Sequence, residues 1–360
     1  MNTAKTVFEN NSEEDFFPVL RGRVNKYFSE KKISKNANGA MVWKTAVILS
    51  LFMISYLLLL TGHFSGWVML LLAAANGILT ALIGLNIAHD AIHGSYSRNK
   101  TVNKWLSLTF NIVGANDYMW RIMHNIIHHT YTNMPGHDDD INQMQIIRFS
   151  PGQKRWFVHR FQYIYVFLFY PLATLSWVFI KDYVKFFKSA IGKYDNSRHP
   201  VSEYFRLFGY KTLYYFLFLA LPMIVIDLPW YEIIAGFVIL HLFEGLTLSL
   251  IFQLAHVVEG PSFPLPGSGG RMPHTWAEHQ MYTTANFACR SDLAYLLFGG
   301  LNFQIEHHLF PGICHIHYRA LSPIVRKTAK EFGLPYYENR TFIGAIASHV
   351  RVLKRFGRDD

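Results

Sequence analysis

One long stretch without charge constrains the fold of this chain more than any other feature. Residues 45–89 contain no Asp, Glu, Lys or Arg, and this is room for two membrane-spanning helices of about 20 residues each. The turn-forming run TGHFSG at 61–66 divides the stretch into apolar segments 45–60 and 67–88. The pattern predicts a helical hairpin whose two ends lie on the same side of a membrane.

The composition supports a membrane protein over a soluble enzyme or a secreted disulfide scaffold. Hydrophobic residues make up 51% of the chain and charged residues 16%, against about 25% charged residues in soluble domains. Cys289 and Cys314 are too few for a disulfide framework, a four-cysteine zinc site or an iron–sulfur cluster. No cleavable signal peptide pattern precedes the first apolar segment.

The basic residues predict the orientation. Residues 1–44 contain eight Lys and Arg, residues 89–160 contain eight and residues 257–360 contain eleven, whereas the 61–66 turn contains none. The positive-inside rule therefore places these three regions, and both termini, on the cytoplasmic side. Topology and attraction to anionic lipids explain the net charge of +10. The charge forms no basic helix or motif, so no nucleic-acid partner is expected.

Three further apolar stretches follow, at 161–180, 212–226 and 233–258. An even number of spans is needed to return the basic C-terminal region to the cytoplasm. We expect a second hairpin at about 211–228 and 231–256, with 161–180 re-entrant or interfacial because Pro171 interrupts it. The alternative pairs 161–180 with 233–258 and leaves 212–226 in the interface. Both versions are all-α membrane proteins with four transmembrane helices, re-entrant or interfacial helices and a cytoplasmic helical cap.

We expect residues 1–360 to form a single domain. Its segments are a cytoplasmic N-terminal segment (1–44), a first hairpin (45–88), a cytoplasmic region (89–160), a re-entrant or interfacial segment with a basic loop (161–210), a second hairpin (211–256) and a second cytoplasmic region (257–360).

Histidine is unusually abundant for so apolar a chain, with 18 residues. Three clusters fall at predicted cytoplasmic positions: His89 and His93 in HDAIH, His124, His128 and His129 in HNIIHH, and His307 and His308 in QIEHH. On a helix, residues i and i+4 share a face, so such pairs can hold one metal ion. By the same geometry His129 lies about 100° from the His124–His128 face, which suits ligands divided between two neighbouring ions. Imidazole suits iron, copper, zinc and nickel.

Other residues are candidates for supporting roles. His256, at the cytoplasmic end of the last span, is well placed as a further ligand. Residues close enough in sequence to orient the ligating rings are Asp90, Asn125, Asn133, Glu306 and the run Asp138, Asp139, Asp140. Glu244 lies in mid-span, either in a local pair with His241 or near the site. We expect structural or supporting roles for His137, His279, His315 and His317, and no metal role for His63 and His349.

The three motifs, in this order around paired apolar spans, resemble those of the membrane fatty acid desaturases. The run 299–311 (GGLNFQIEHHLFP) is similar to the front-end branch in particular, where a Gln opens the third motif. Residues 129–133 and 280–287 are similar to that branch too. The resemblance covers about residues 40–340.

The resemblance implies a non-haem centre of two iron ions that uses O2 as co-substrate to remove two hydrogens from an unactivated acyl chain. The implied ligands are His89, His93, His124, His128, His129, His256, His307 and His308, with Gln304 binding directly or through water where the family has a histidine. The expected activity is that of an oxidoreductase that adds a cis double bond between an existing one and the carboxyl end, most simply at the Δ6 position.

The resemblance also implies partners. The substrate is a fatty acyl group carried on CoA, acyl carrier protein or a lipid, and membrane lipids surround the protein. The chain has no His-Pro-Gly-Gly haem motif, so we expect a separate electron donor, ferredoxin or cytochrome b5 with its reductase. The expected location is a bacterial inner membrane. Two alternatives stay open: an acyl hydroxylase or sphingolipid desaturase on the same scaffold, and a transporter or metal-handling protein.

Overall fold

The five apolar stretches of the sequence are five long helical segments in a computed structural model of the chain, which describes residues 6–9, 12–141 and 145–358. By length and composition, each is able to cross a membrane. Their bounds are Gly39–Thr61, Gly66–Ile92, Phe157–Phe187, Val201–Val225 and Trp230–His256. The segment expected to be re-entrant is one of the five, and the division into four spans stays a prediction.

The elements follow one another in a largely helical order. The α-helices are α1 Phe16–Lys31, α2 Gly39–Thr61, α3 Gly66–Ile83, α4 His89–Ile92, α5 Lys100–Ile112, α6 Asp117–Trp120, α7 His129–Tyr131, α8 Gln162–Phe169, α9 Ala173–Ser176, α10 Asp182–Phe187, α11 Val201–Tyr215, α12 Leu221–Val225, α13 Trp230–His256, α14 Trp276–Thr283, α15 Asp292–Leu297, α16 Gln304–Leu309, α17 Tyr318–Glu331 and α18 Phe342–Phe356. The strands are β1 Val7–Glu9, β2 Ala190–Ile191, β3 Tyr194–Asp195, β4 Arg271–Thr275, β5 Ala285–Phe287 and β6 Tyr337–Asn339.

Short π-helical and 3-10 turns join several of these helices. The π-helical turns are Gly84–Ala88, Arg121–His128, Trp177–Lys181 and Phe216–Ala220. The 3-10 turns are Phe157–Phe161, Tyr170–Leu172, Ser268–Gly270 and His315–His317. Strands β1 and β4 pair in parallel, as do β5 and β6, whereas β2 and β3 form an antiparallel pair.

The chain forms two compact units. Unit 1 takes residues 1–36, 123–164 and 252–360, and unit 2 takes residues 37–122 and 165–251.

In unit 2, the hairpin of α2 and α3 has clear local causes. The Asn38 side chain accepts a hydrogen bond from the Met41 amide and caps the start of α2. Gly62, at φ 63°, ends the helix in the left-handed conformation. Between the two helices, the Asn76 amide donates to the Ser55 hydroxyl at 2.8 Å, so a polar contact holds the apolar hairpin together.

Helix α13 packs closely on α3 because Gly77 has no side chain. A Cβ atom on Gly77 would lie 2.0 Å from the carbonyl oxygen of Leu240. Small residues let membrane helices approach at the backbone, and here the approach fixes the crossing point of α3 and α13.

The core of unit 1 forms where α1 meets α17. The buried residues of α1 are Phe16, Leu20, Val24 and Phe28, spaced four apart along one face. They join Leu321, Val325 and Ala329 of α17 in one apolar cluster, which also includes Ile305 and Leu309 of α16. The amphipathic pattern of α1 and α17 therefore supports the helix that carries the third histidine motif.

A buried ion pair links α10 and α11 in unit 2. The Lys211 ammonium lies 2.8 Å from the Asp182 carboxylate, and their side chains are 3% and 0% exposed. Lys211 also donates to the Gly114 carbonyl at 2.7 Å, and the Trp177 indole donates to Asp182 at 2.8 Å. Both charges are therefore paired and hydrogen-bonded, as burial requires.

Removing one partner of this pair leaves an uncompensated buried charge. We expect Lys211→Met to destabilise the protein by about 3–5 kcal/mol, and the double variant with Asp182→Asn to lose less, because no charge is then left unpaired. Thermal unfolding in detergent measures both. Lys188→Met, at an exposed position, is the control, and an equal loss in the single and double variants would contradict the interpretation.

Candidate metal centre

Three different elements of unit 1 carry its candidate ligands. The second motif lies on the π-helical turn Arg121–His128 and the start of α7, the third motif on α16, and His256 is the last residue of α13. Gln304 and the six histidines at these positions are buried, with exposures of 5% or less: His124, His128, His129, His256, His307 and His308.

Three of these imidazoles converge through one ring nitrogen each. The ligand atoms of His128, His256 and His308 all lie within 4.8 Å of one another. The ring centroids of His128 and His256 are 4.7 Å apart, and those of His128 and His308 are 5.0 Å apart. A group of three buried imidazoles at this separation can hold a metal ion.

Acceptors behind each ring determine which nitrogen faces inward. The Nδ1–H group of His128 donates to the Asp138 carboxylate at 3.0 Å. Those of His256 and His308 donate to the Thr283 carbonyl at 3.3 Å and to the Gln280 amide oxygen at 2.9 Å. A ring that donates through Nδ1 offers the lone pair of Nε2 as a metal ligand.

The Gln304 side chain faces the same point. Its amide nitrogen lies 3.1 Å from Nε2 of His256 and 3.2 Å from Nε2 of His308. Its buried oxygen has no hydrogen-bond partner among the residues that the structure describes. Rotation of the amide would present this oxygen to the two imidazoles as a further ligand atom, so the donor set fits a metal ion.

His124 and His129 form the second pair of unit 1. Their Nε2 atoms are 3.2 Å apart, and two imidazole nitrogens bound to one ion at about 2.1 Å are separated by about 3 Å. The α-helical expectation that His129 points about 100° away from His124 is wrong, because the backbone winds as a π-helix over Arg121–His128. The wider turn brings residues i and i+5 together.

His307 completes the histidines of unit 1. Its ring centroid lies 4.6 Å from that of His129 and is stacked on His124 at 5.8 Å. Its Nδ1 atom is 3.3 Å from the Tyr318 hydroxyl at the start of α17.

The first motif belongs to unit 2. There the ring centroids of His89 and His93 are 4.7 Å apart, as the i, i+4 spacing predicts. Trp120 packs edge-on against both rings, at 5.5 and 5.9 Å. Nδ1 of His89 lies 3.8 Å from the Asp90 carboxylate.

Electrostatics sharpen the role of Asp138. Burial lowers the pKa of His128, but the attraction and hydrogen bond of Asp138 outweigh it and raise that pKa. For Asp138, burial raises the pKa, whereas His128 and the backbone amides of Asn133 and Asp140 lower it to below its ordinary value. Asp138 is therefore an anion that increases the basicity of the His128 ligand.

Glu306 and Asn133 support the site differently from the sequence-based expectation. The Glu306 carboxylate accepts from Tyr336 at 2.7 Å and from Asn286 at 2.8 Å. Burial raises its pKa to about 7. Asn133 donates to the backbone carbonyl of His256 at 3.1 Å. Both residues position the backbone that carries ligands, rather than an imidazole ring.

Three supporting residues were missed from the sequence: Gln280, Thr132 and Tyr318. The Thr132 hydroxyl lies 2.8 Å from the Gln280 oxygen, which in turn receives the proton of His308. Their side chains are common in any core, so only the similarity of residues 129–133 and 280–287 to the front-end branch drew attention to two of them.

The remaining histidines make protein contacts that agree with structural roles. His137 bonds Thr6 at 2.8 Å, and His317 bonds the Asn36 carbonyl at 3.1 Å. In unit 2, His241 lies 3.1 Å from Glu244, which is the local pair that the sequence allowed. His315 is buried, and His63 is exposed at the 61–66 turn.

Apolar helices long enough to cross a membrane, together with buried imidazole clusters, are typical of a membrane metalloprotein. The model of the fatty acid desaturase family matches residues 65–340. The chain belongs to the fatty acid desaturase family, and it is an enzyme of the oxidoreductase class.

Several relatives match nearly the whole chain. The sn-1 linoleoyl-lipid 6-desaturase of Synechocystis sp. is 36% identical over 95% of this chain and 96% of its own length. The sn-1 linoleoyl-lipid 6-desaturase of Arthrospira platensis is 34% identical over 94% of this chain and 92% of its own length. The acyl-lipid (8-3)-desaturase of Physcomitrium patens is 36% identical over 96% of this chain and 72% of its own length. The resemblance to front-end desaturases is thereby confirmed.

The buried histidines next to the site make stability depend on pH. The Nδ1–H group of His349 donates to the Val257 carbonyl at 2.6 Å, and burial lowers the pKa of His349 from 6.5 to about 4. Between pH 6.5 and 4 the unfolded chain binds a proton that the folded chain does not. Stability is therefore complete above pH 6.5 and falls as the pH is lowered towards 4.

We expect His349→Asn to reduce this loss, by up to about 3 kcal/mol of pH-dependent stability, since Asn can donate the same hydrogen bond without taking up a proton. Unfolding temperatures in detergent at pH 7.5 and 5 measure the difference. His63→Asn, at the exposed 61–66 turn, serves as control. An unchanged pH slope in His349→Asn would refute the assignment.

Proposed function

We propose that this protein is an O2-dependent front-end acyl-lipid desaturase of Δ6 type, with a His-ligated di-iron centre. The observation that carries the proposal is the convergence of the Nε2 atoms of His256 and His308 with the Gln304 amide, at 3.1 and 3.2 Å, in a chain of the fatty acid desaturase family. Imidazole with one oxygen donor suits ferrous and ferric iron.

Nine residues would hold the two iron ions: His89, His93, His124, His128, His129, His256, Gln304, His307 and His308. When bound, the iron centre supplies the O2 chemistry that removes two hydrogens from a methylene pair, a step that no amino-acid side chain performs. The pairs His89–His93 and His124–His129 support the assignment, because each brings two imidazoles within reach of one ion.

The protein's own residues provide orientation and exclude water. Asp138, Gln280 and the Thr283 carbonyl hold three imidazoles in the tautomer that exposes Nε2. Tyr318 contacts Nδ1 of His307. The burial of all these rings keeps the centre out of bulk water, which protects a reactive oxidant from side reactions.

The substrate proposal is a linoleoyl group esterified at the sn-1 position of a glycerolipid. Two relatives that cover more than nine-tenths of this chain are named for that substrate and for a double bond at position 6. The apolar helices support a lipid-borne substrate, because such an acyl chain reaches the site from within the bilayer.

For the topology, we propose four transmembrane helices in two hairpins, with 161–180 re-entrant or interfacial and residues 1–360 forming a single desaturase domain. Both termini, the helical cap and the iron centre then lie in the cytoplasm, because the basic residues concentrate in 1–44, 89–160 and 257–360. A separate donor, ferredoxin or cytochrome b5 with its reductase, would deliver two electrons there. A bacterial inner membrane would be the location.

Product analysis tests the reaction. Expression in a host that lacks γ-linolenate, grown with linoleate, should give γ-linolenate in the sn-1 position of membrane lipids. Gas chromatography of the methyl esters, after release by a position-specific lipase, identifies the acid and its position. A double bond at another carbon would overturn the Δ6 assignment, and a hydroxylated acid without a new double bond would favour the hydroxylase instead.

Loss of one ligand should abolish the reaction. We expect His308→Ala and His124→Ala to insert into the membrane normally but to lose desaturation by at least about 100-fold, since even residues behind a ligand cost 10–100-fold when replaced. Iron content of the purified variants, against about two ions per wild-type chain, gives a readout besides activity. The control is His63→Ala, and full activity of either ligand variant would refute the assignment.

A further inference from the structure

Unit 2 contains an apolar cavity of about 460 Å³ that the proposed reaction does not use. Its size is within the range of about 300–1,000 Å³ of pockets that bury organic ligands. Its wall is formed by α2, α3, α13 and the residues that precede α13, and it includes Leu60, Leu70, Ala73, Phe218, Phe237 and Leu240.

The cavity lies at the end of α3 opposite the first histidine motif. Trp67 and Leu70 line it near the start of that helix, whereas His89 follows the helix after the π-helical turn Gly84–Ala88. At a rise of 1.5 Å per residue, about 25–30 Å of helix separates the cavity from His89. The occupant of this cavity is therefore not at the metal ligands.

The rim of the cavity has the residues of a membrane interface. Trp67, Trp230 and Tyr231 are exposed by 81%, 68% and 57%, and Trp and Tyr concentrate at the level of lipid headgroups. Glu232 follows directly in the sequence, lines the cavity and is exposed. A carboxylate thus lies at headgroup level beside an apolar space.

Charge determines which headgroup fits. Residues 45–89 and 212–270, which include both loops at this end of unit 2, contain no Lys or Arg, and the charged residues of those loops, Asp227 and Glu232, are acidic. The carboxylate of Glu232 complements a ligand with a cationic group and repels an anionic one.

We propose that this cavity binds an acyl chain of a membrane phospholipid with an ammonium headgroup, as in phosphatidylethanolamine, and that the ammonium pairs with Glu232. The apolar wall accepts the chain, the aromatic rim holds the glycerol region, and the carboxylate selects the headgroup. The site is a lipid-binding site distinct from the one that takes the substrate.

The full-length protein can be reconstituted in nanodiscs of equal parts phosphatidylethanolamine and phosphatidylglycerol, and the retained lipid measured by native mass spectrometry after transfer to detergent. We expect one retained lipid, with phosphatidylethanolamine favoured by about fivefold, the discrimination expected of one partly exposed ion pair. Glu232→Gln should reduce the ratio to about one. Asp227→Asn, which removes the other carboxylate at this end, should preserve it.

A second variant fills the cavity itself. A Cβ atom on Gly236 meets no other atom within 4 Å, and Gly236 lines the cavity, so Gly236→Leu should abolish lipid retention. Gly209→Leu is the matched control, because Gly209 lies in α11 with the same open surroundings and does not line the cavity.

Desaturation and iron content should be unchanged in Gly236→Leu. Equal retention of the two lipids by the wild type, or unchanged phosphatidylethanolamine retention in Glu232→Gln, would overturn the proposal. So would loss of desaturation with normal iron content in Gly236→Leu, since the cavity would then belong to the path of the substrate. If Gly236→Leu does not fold, the headgroup ratio in Glu232→Gln decides alone.

Discussion

The hydrogen bond at the back of each ligating imidazole is the interaction on which the rest of this structure depends. A buried histidine offers a lone pair only if the ring is neutral and its proton is on the opposite nitrogen. Asp138, Gln280 and the Thr283 carbonyl each accept such a proton. These acceptors come from separate elements, so the fold must bring a loop, α14 and the residue after it behind the rings.

Much of the local architecture follows from this requirement. The π-helical turn at Arg121–His128 brings His124 and His129 together, and an α-helix would separate them. Helix α16 is held by Asn286, which accepts from the Ile305 amide at 2.9 Å and donates to Glu306 at 2.8 Å. Irregular helical winding is common at functional sites, and here it determines which nitrogens meet.

The amino-acid sequence predicted the parts of this protein that depend on composition and local spacing. Absence of charge located the apolar helices, and i, i+4 spacing predicted that His89 and His93 lie together. The position of His129 was predicted wrongly, because winding depends on tertiary packing that no local pattern contains. Gln280 and Tyr318 were missed for a related reason: they act on rings 28 and 11 residues away, across contacts that only the folded chain creates.

The same hydrogen bonds explain why so many histidines can be buried while only some suit a metal. Both ring nitrogens of His241 bond other side chains, Thr174 at 3.0 Å and Tyr214 at 2.8 Å. Both nitrogens of His159 bond the backbone, at Trp156 and Gln145. In His256 and His308, by contrast, one nitrogen bonds an oxygen and the other points to Gln304.

A ring satisfied twice by oxygen or amide partners gains nothing from an ion, whereas rings directed at each other leave lone pairs that only a cation or added protons can stabilise. Burial opposes added protons, because it disfavours the charged imidazolium. The geometry of the remaining nitrogen, more than the count of histidines, therefore separates the candidate ligands from the rest.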